Sequence, residues 1–230
     1  QGLIATDSSN RVIIGGRFQT LNGQPRVGIG AVDRDSAQSL TWNADILPPR
    51  ISENQRAWVV DLKLEDGVVY AANNGMGWHW FDGRFAASFE TGDLIWLDNC
   101  YGSTSSISVM GDVLYSTPHA HDCTSVNGFP EENPQIWKRG LAETTFATGT
   151  DQTAPSNNSP VSNQPIPTLL HWYPSLNTGF YTGQYQGGWS LDNNGDYLVM
   201  GGEFTRLNNQ NQQGLAVFPM RSETNNRRPE

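Results

Sequence analysis

The chain has 230 residues, enough to bury a substantial core in one larger all-β domain, and no shift in composition divides it. Hydrophobic residues make up 37% and charged residues only 16%, with 24 Gly and 13 Pro, which describes a turn-rich globular chain and excludes a disordered one. A net charge of −9, with lysine only at Lys63 and Lys138, provides no basic face for nucleic acid or anionic membrane, and no apolar run reaches the roughly 20 residues of a membrane span. No signal peptide opens the sequence at Gln1, so the expectation is a mature product or an excised piece of a longer protein with other domains.

In chain order, the first strong signal is the phrase VIIGGRFQTLNG at Val12–Gly23, which returns 186 residues later as LVMGGEFTRLNN at Leu198–Asn209. A small polar turn precedes a run of alternating apolar residues four times: Ser8–Asn10 before Val12, Glu65–Gly67 before Val68, Gly111–Asp112 before Val113, and Asn194–Asp196 before Tyr197. Asp-Gly and similar pairs supply the positive φ that two-residue hairpins need, so each site predicts a β-hairpin. Further strands are predicted at Val27–Asp33, Leu40–Asn43, Ala57–Leu64, Gly77–Asp82, Asp93–Asp98, Ser105–Met110, Gln135–Gly140, Gly187–Asp192 and Gly214–Pro219. Thr148–Thr168, with four prolines and no periodicity, reads as a surface insert, and 219–230 as a polar tail. No stretch carries the helical period. Three to four short strands per unit, at a period of about 50 residues, predict one all-β domain over 1–230: a β-propeller of four to five antiparallel blades, or a segment of a larger one, with Leu169–Tyr181 as raw material for a fifth blade. In that reading the glycine pairs permit close approach of neighbouring blades, Phe18 and Phe204 fill the core between them, and the Asn-rich ends turn into the next strand.

The two phrases, extended to VIIGGRFQTLNGQPRVGIGAVD and YLVMGGEFTRLNNQNQQGLAVF, resemble the GG-x-F, N-G, GLA repeat of secreted and cell-wall β-propeller proteins of bacteria, of actinobacterial type, which are kelch-like or galactose-oxidase-like modules. The stretch around DNCYGSTSSISVMGDVLYSTPHAHDC resembles a Cys-containing unit of the same family. The resemblance implies an extracellular propeller used for display or adhesion, with no catalytic residues to carry over. Units two and three depart from the pattern, with AANN and STPH in place of the glycine pair.

Chemistry-bearing residues are sparse. An even pair of cysteines in a Lys-poor chain favours a Cys100–Cys123 disulfide in an oxidising compartment over two reduced thiols. His119 and His121, two apart on a predicted strand, would point to one face and make two ligands of a candidate metal site, with Asp122 or a distant carboxylate as the third. His79 and His171 each adjoin a tryptophan, and Asn157–Ser159 matches a glycosylation tripeptide. Asp192–Asp196 spaces oxygens like a calcium loop, but it sits at a hairpin position and lacks the downstream glutamate. No G-x-S-x-G elbow appears. Aromatics near predicted loops, namely Trp42, Tyr101, Trp172, Tyr173 and Tyr185, with Asn73 and Asn74 beside them, suit the face and hydroxyls of a sugar ring. Trp58, Trp78, Trp80, Trp96, Trp137 and Trp189 fall in predicted strands and read as packing. The expectation is a non-catalytic extracellular or cell-surface module for adhesion, ligand display, or binding of carbohydrate or protein, with no cofactor beyond that metal candidate. The alternative is a glycan-active or metal-dependent propeller enzyme.

Overall fold

The computed structural model describes residues 3–5, 9–44, 46–47, 56–76, 81–152 and 163–219. His79, Trp78, Trp80, Ser8, the Asn157–Ser159 tripeptide, the middle of the 148–168 insert and the tail beyond Pro219 lie outside them. Within the described residues the protein is all-β, with no α-helix and a single short 3₁₀ turn at Thr124–Val126.

Four antiparallel meanders follow one another along the chain. The first sheet contains Leu3–Ala5, Arg11–Gly15, Ile29–Asp33 and Ser39–Leu40; the second contains Arg56–Glu65, Val68–Met76, Arg84–Ser88 and Leu94–Asp98. Thr104–Met110, Val113–Pro118, Leu141–Thr144 and Leu169–Leu170 make the third, and Gly188–Asn193, Tyr197–Gly202 and Leu215–Pro219 the fourth. Turn chemistry sets these registers: Asp66 and Gly67 lie at φ 47° and 75°, so Glu65 pairs with Val68, and Gly111 at φ 58° lets Met110 pair with Val113.

The repeated phrase folds the same way twice. After its glycine pair, each copy makes a two-stranded ribbon, Thr20–Leu21 with Gln24–Pro25 and Arg206–Leu207 with Gln210–Asn211. The Asn-rich end is the tip of that ribbon, with Asn22 and Gly23, and Asn208 and Asn209, all at positive φ. It therefore turns back on itself rather than into the next main strand. Matching bonds close each loop, Gly28 N to Phe18 O at 3.0 Å and Gly214 N to Phe204 O at 2.9 Å. Phe204 is buried, but Phe18 is only half-buried and outside the core clusters.

Three of the four core clusters lie between sheets, and the fourth surrounds Cys100 and Cys123. Ile4, Ile13, Ile29, Val59, Leu62 and Phe85 join the first sheet to the second. Tyr70, Ala72, Trp96, Ile107 and Leu114 join the second to the third, and Met110, Leu191, Leu198, Met200 and Phe204 join the third to the fourth. Among the described residues no comparable layer joins the fourth sheet to the first. The second joint also contains a buried charge cluster, in which Arg84 donates to Asp98, to Glu143 Oε1 at 3.0 Å and to Thr104 Oγ1 at 3.1 Å. Burial raises the Glu143 carboxyl well above its ordinary value, with Arg84 acting against it.

Several expectations are corrected. Arg84–Ser88 and Leu141–Thr144 are strands that the sequence did not flag, and Gln135–Gly140 is not one, contributing only a bridge between Lys138 and Ala120. Leu169–Leu170 is the outer strand of the third sheet, so that region forms no fifth blade. The insert is partly a ribbon, since Gly149–Thr150 pairs with Pro165–Ile166.

Candidate functional site

The Cys100–Cys123 disulfide is present. Both sulfurs are buried, and the bond ties the end of the second sheet to the loop after Pro118, where the candidate metal ligands lie. That segment lies outside the named strands but stays bridged on both sides, Ala120 with Lys138 and Asp122 with Tyr101. His119 Nδ1 lies 2.7 Å from Gln186 Nε2, His121 Nδ1 is 3.3 Å from Glu131 Oε1, and Asp122 Oδ1 accepts from Thr124 N at 2.9 Å and Thr124 Oγ1 at 2.8 Å. The three are engaged separately, and no group of three metal-ligating side chains converges among the described residues.

The sugar-binding candidates scatter. Trp42 is 2% exposed and its Nε1 donates to the carbonyls of Ser88 and Phe89, so it belongs to the core. Asn73 is fully buried in the second sheet, and Asn74 Oδ1 accepts from Ser103 Oγ at 2.9 Å. Trp172 packs edge-on against Tyr115 and Phe218. Tyr101 is half-buried and stacks near His121. Tyr173 sits in a groove of about 500 Å³ with Phe129, Lys138 and His171, the Lys138 ammonium lying over both the Phe129 and Tyr173 rings.

Tyr185 belongs to a feature that the sequence did not reveal. The loop from Gly179 to Gln186 raises Phe180, 72% exposed, and Tyr181, 98% exposed, into solvent beside Tyr185. Phe180 and Tyr185 meet edge-on with centroids 5.8 Å apart. The loop is held from below: Glu203 accepts from Thr182 N at 3.0 Å, Thr182 Oγ1 at 2.6 Å and Trp189 Nε1 at 2.9 Å. These bonds hold the Glu203 carboxyl below its ordinary value. Gly179 N donates to Gln186 O at 2.9 Å and closes the loop's neck, and a cavity of about 360 Å³ opens between Phe180, Tyr181, Glu203 and Thr205.

At the neck lies a second set of groups. Gly187 abuts Arg139, whose side chain is 9% exposed and whose guanidinium lies 5.8 Å from the ring centre of Trp137. Trp137 is itself exposed, so it is not the packing residue that its sequence suggested. Arg139 Nε and Nη1 are buried without a hydrogen-bond partner, as is Gln186 Oε1. Burial depresses both the Arg139 guanidinium and the His119 imidazole, and leaves His119 neutral at pH 7. Arg139, Gln186 and His119 thus cluster at the neck of the loop that raises Phe180, Tyr181 and Tyr185.

No family model matches the chain, and no curated protein matches it. Among solved structures, a computationally designed protein, Ika4, superposes on 95% of this chain and 89% of its own with a TM-score of 0.47 and 13% identity, a likeness too distant to transfer either fold or function.

Proposed function

We propose that the chain is an extracellular, non-catalytic module that binds carbohydrate at the Gly179–Gln186 loop, and that its four consecutive sheets are blades of a β-propeller. The propeller reading is supported by the series of meanders, each packed face to face on the next through one apolar layer. Residence outside the cell is supported by the disulfide in so Lys-poor a chain.

The observation that carries the binding reading is Tyr181 at 98% exposure beside Phe180 at 72%, on a loop fixed by three bonds to Glu203. Rings left in water on a rigid support gain by covering a flat apolar face, which a pyranose ring provides. Arg139 narrows the class. Its Nε and Nη1 are buried and unpartnered, so its positive charge acts on a ligand at the loop through its field rather than by a direct bond. The overall charge of −9 opposes an acidic ligand only weakly, since salt screens it beyond about 8 Å. Uronate-bearing glycans therefore rank ahead of neutral ones, and protein partners behind both.

A glycan array that includes uronate polymers tests the reading. Binding is expected to fall at least about tenfold in Tyr181→Ala and Phe180→Ala, about 1.4 kcal/mol each, with the fold intact because neither ring is in the core. Wild-type protein that binds no glycan overturns the reading, and capture of a protein ligand alone replaces it.

A further inference from the structure

The two Gly-Gly phrases occupy equivalent places in the first and fourth sheets, but only one of them is covered. In the first sheet, Ile13, Ile29 and Ala31 are buried against the second sheet, and a Cβ on Gly15 would lie 2.6 Å from Val59 Cγ1 and 2.9 Å from Leu62 Cδ1. The repeat places Val199, Leu215, Val217 and Gly201 at the corresponding positions of the fourth sheet. Leu215 and Val217 are each 54% exposed, and a Cβ on Gly201 would meet nothing within 4 Å. Gly201 has no left-handed backbone to explain it, because its φ lies outside the positive range. Gly201 thus stands in open space where its counterpart Gly15 lies under the next sheet.

The covered joints show what the incoming sheet provides. At each, the leading strand of the next sheet lays an apolar residue on the previous sheet: Leu62 on the first, Ile107 on the second, Leu191 on the third. At the second and third joints a polar side chain one residue earlier also receives the backbone of the next leading strand. Ile107 N donates to Asp61 Oδ2 at 3.0 Å, and Leu191 N donates to Ser106 Oγ at 3.1 Å. Ser190, opposite Gly201 as Asp61 is opposite Ala72, is the next acceptor in this series and is exposed. Among the described residues, one leading strand packs on no preceding sheet. In Leu3–Ala5, Leu3 pairs with Ile14 as Leu191 pairs with Met200, its repeat equivalent. Val12 and Ile14, on the same face of that first sheet, are only half-buried, whereas their counterparts Leu198 and Met200 are buried by the third sheet.

We propose that the open face of the fourth sheet is covered by the first sheet of a second copy of this chain, head to tail, with Leu3 N of one copy donating to Ser190 Oγ of the other. The contact continues the joint already repeated three times within the chain. Two copies joined reciprocally leave neither face open, whereas the same contact without closure builds a ladder.

Sedimentation equilibrium of the full chain, from micromolar to hundreds of micromolar, is expected to show twice the 25.4 kDa chain mass, or an integer ladder above it. Gly201→Val, which places a Cβ in open space in the single chain but where Gly15 is crowded in the covered joint, is expected to return the mass to 25.4 kDa with an unchanged circular dichroism spectrum. Val217→Glu is expected to do the same. Tyr181→Ala, on the aromatic loop, is expected to leave the larger mass intact. A wild-type chain that stays at 25.4 kDa, a larger mass that survives both face substitutions, or one lost in Tyr181→Ala overturns the proposal.

Discussion

The first and fourth sheets are built from nearly the same phrase, and they differ in what lies against it. Around Gly15 the phrase is the floor of a closed joint with Val59 and Leu62 pressed onto it; around Gly201 it is a surface. The same residues thus make a core or a docking face according to whether another sheet follows. A repeat sequence specifies the complementary shape of its units, and the neighbour determines how much stability that shape yields.

The sharpest way to break the comparison is to remove an equivalent side chain from each sheet. Ile29 is 1% exposed in the closed joint, and Ile29→Ala is expected to cost about 2–5 kcal/mol in urea unfolding, because it leaves a cavity between two rigid sheets. Leu215→Ala, at the equivalent place, is expected to stay within about 0.5 kcal/mol when measured on the single chain, in the Gly201→Val background. Equal losses would mean that the fourth sheet's face is covered within one chain after all.

A smaller effect sharpens the same point. Gly15→Val forces a branched side chain into Val59 and Leu62, and overpacking of this kind costs about 1–3 kcal/mol. The matching Gly201→Val on the single chain is expected to change the unfolding midpoint little, or to raise it slightly, since β-branched residues suit a strand. A midpoint lowered as much in the second variant as in the first would show that the two glycines answer to one local constraint rather than to the neighbouring sheet.

Much of the sheet series was legible because hairpin turns are local. Asp66-Gly67 and Gly111-Asp112 announce themselves by residue type and each sits where its pair predicts, whereas Asn22-Gly23 turns a short ribbon back on itself instead of leading into the next main strand. The strand Arg84–Ser88 was not legible, because RFAAS has no β-branched residue and its arginine is there for Asp98 and Glu143, which the fold brings from 14 and 59 residues away. Gln135–Gly140 misled in the opposite direction, with Ile136 and Trp137 looking like strand residues while both are exposed. The candidate site was the least legible part. Trp42 and Tyr181 are both aromatic residues in turn-rich sequence, and only the fold separates them, burying Trp42 with its Nε1 donating to Ser88 O and Phe89 O and leaving Tyr181 98% exposed. Arg139, His119 and Gln186 are drawn together only by tertiary structure, and no spacing marks them.

The smallest expected effect compares the covered and open regions by titration. Asp82 lies at the mouth of the joint between the second and third sheets, where Gly75 N donates to Oδ1 at 2.9 Å and Gly102 N to Oδ2 at 3.2 Å. Burial outweighs these bonds and pushes its carboxyl up to about 7 from the ordinary 3.8. The folded state therefore holds this proton more tightly than the unfolded chain does. The stability that Asp82 contributes is complete below about pH 3.8 and is lost as pH rises through about 7. Glu203, on the solvent side of the fourth sheet, is lowered instead, so its contribution is present above its unfolded value and is lost as the solution becomes acidic. The two groups give opposite slopes from the two kinds of environment. Full conversion of the Asp82 shift would be about 4 kcal/mol; since its carboxyl keeps some contact with water, a change of about 1–2 kcal/mol is expected. Asp82→Asn cannot ionise and loses part of the bonding to Gly75 and Gly102, so it is expected to be the less stable protein near pH 5, with the gap closing by that amount toward pH 8. Urea unfolding of both proteins across this range measures the gap directly, and a gap that stays constant or widens as pH rises would place Asp82 with Glu203, as an ordinary ionised carboxylate.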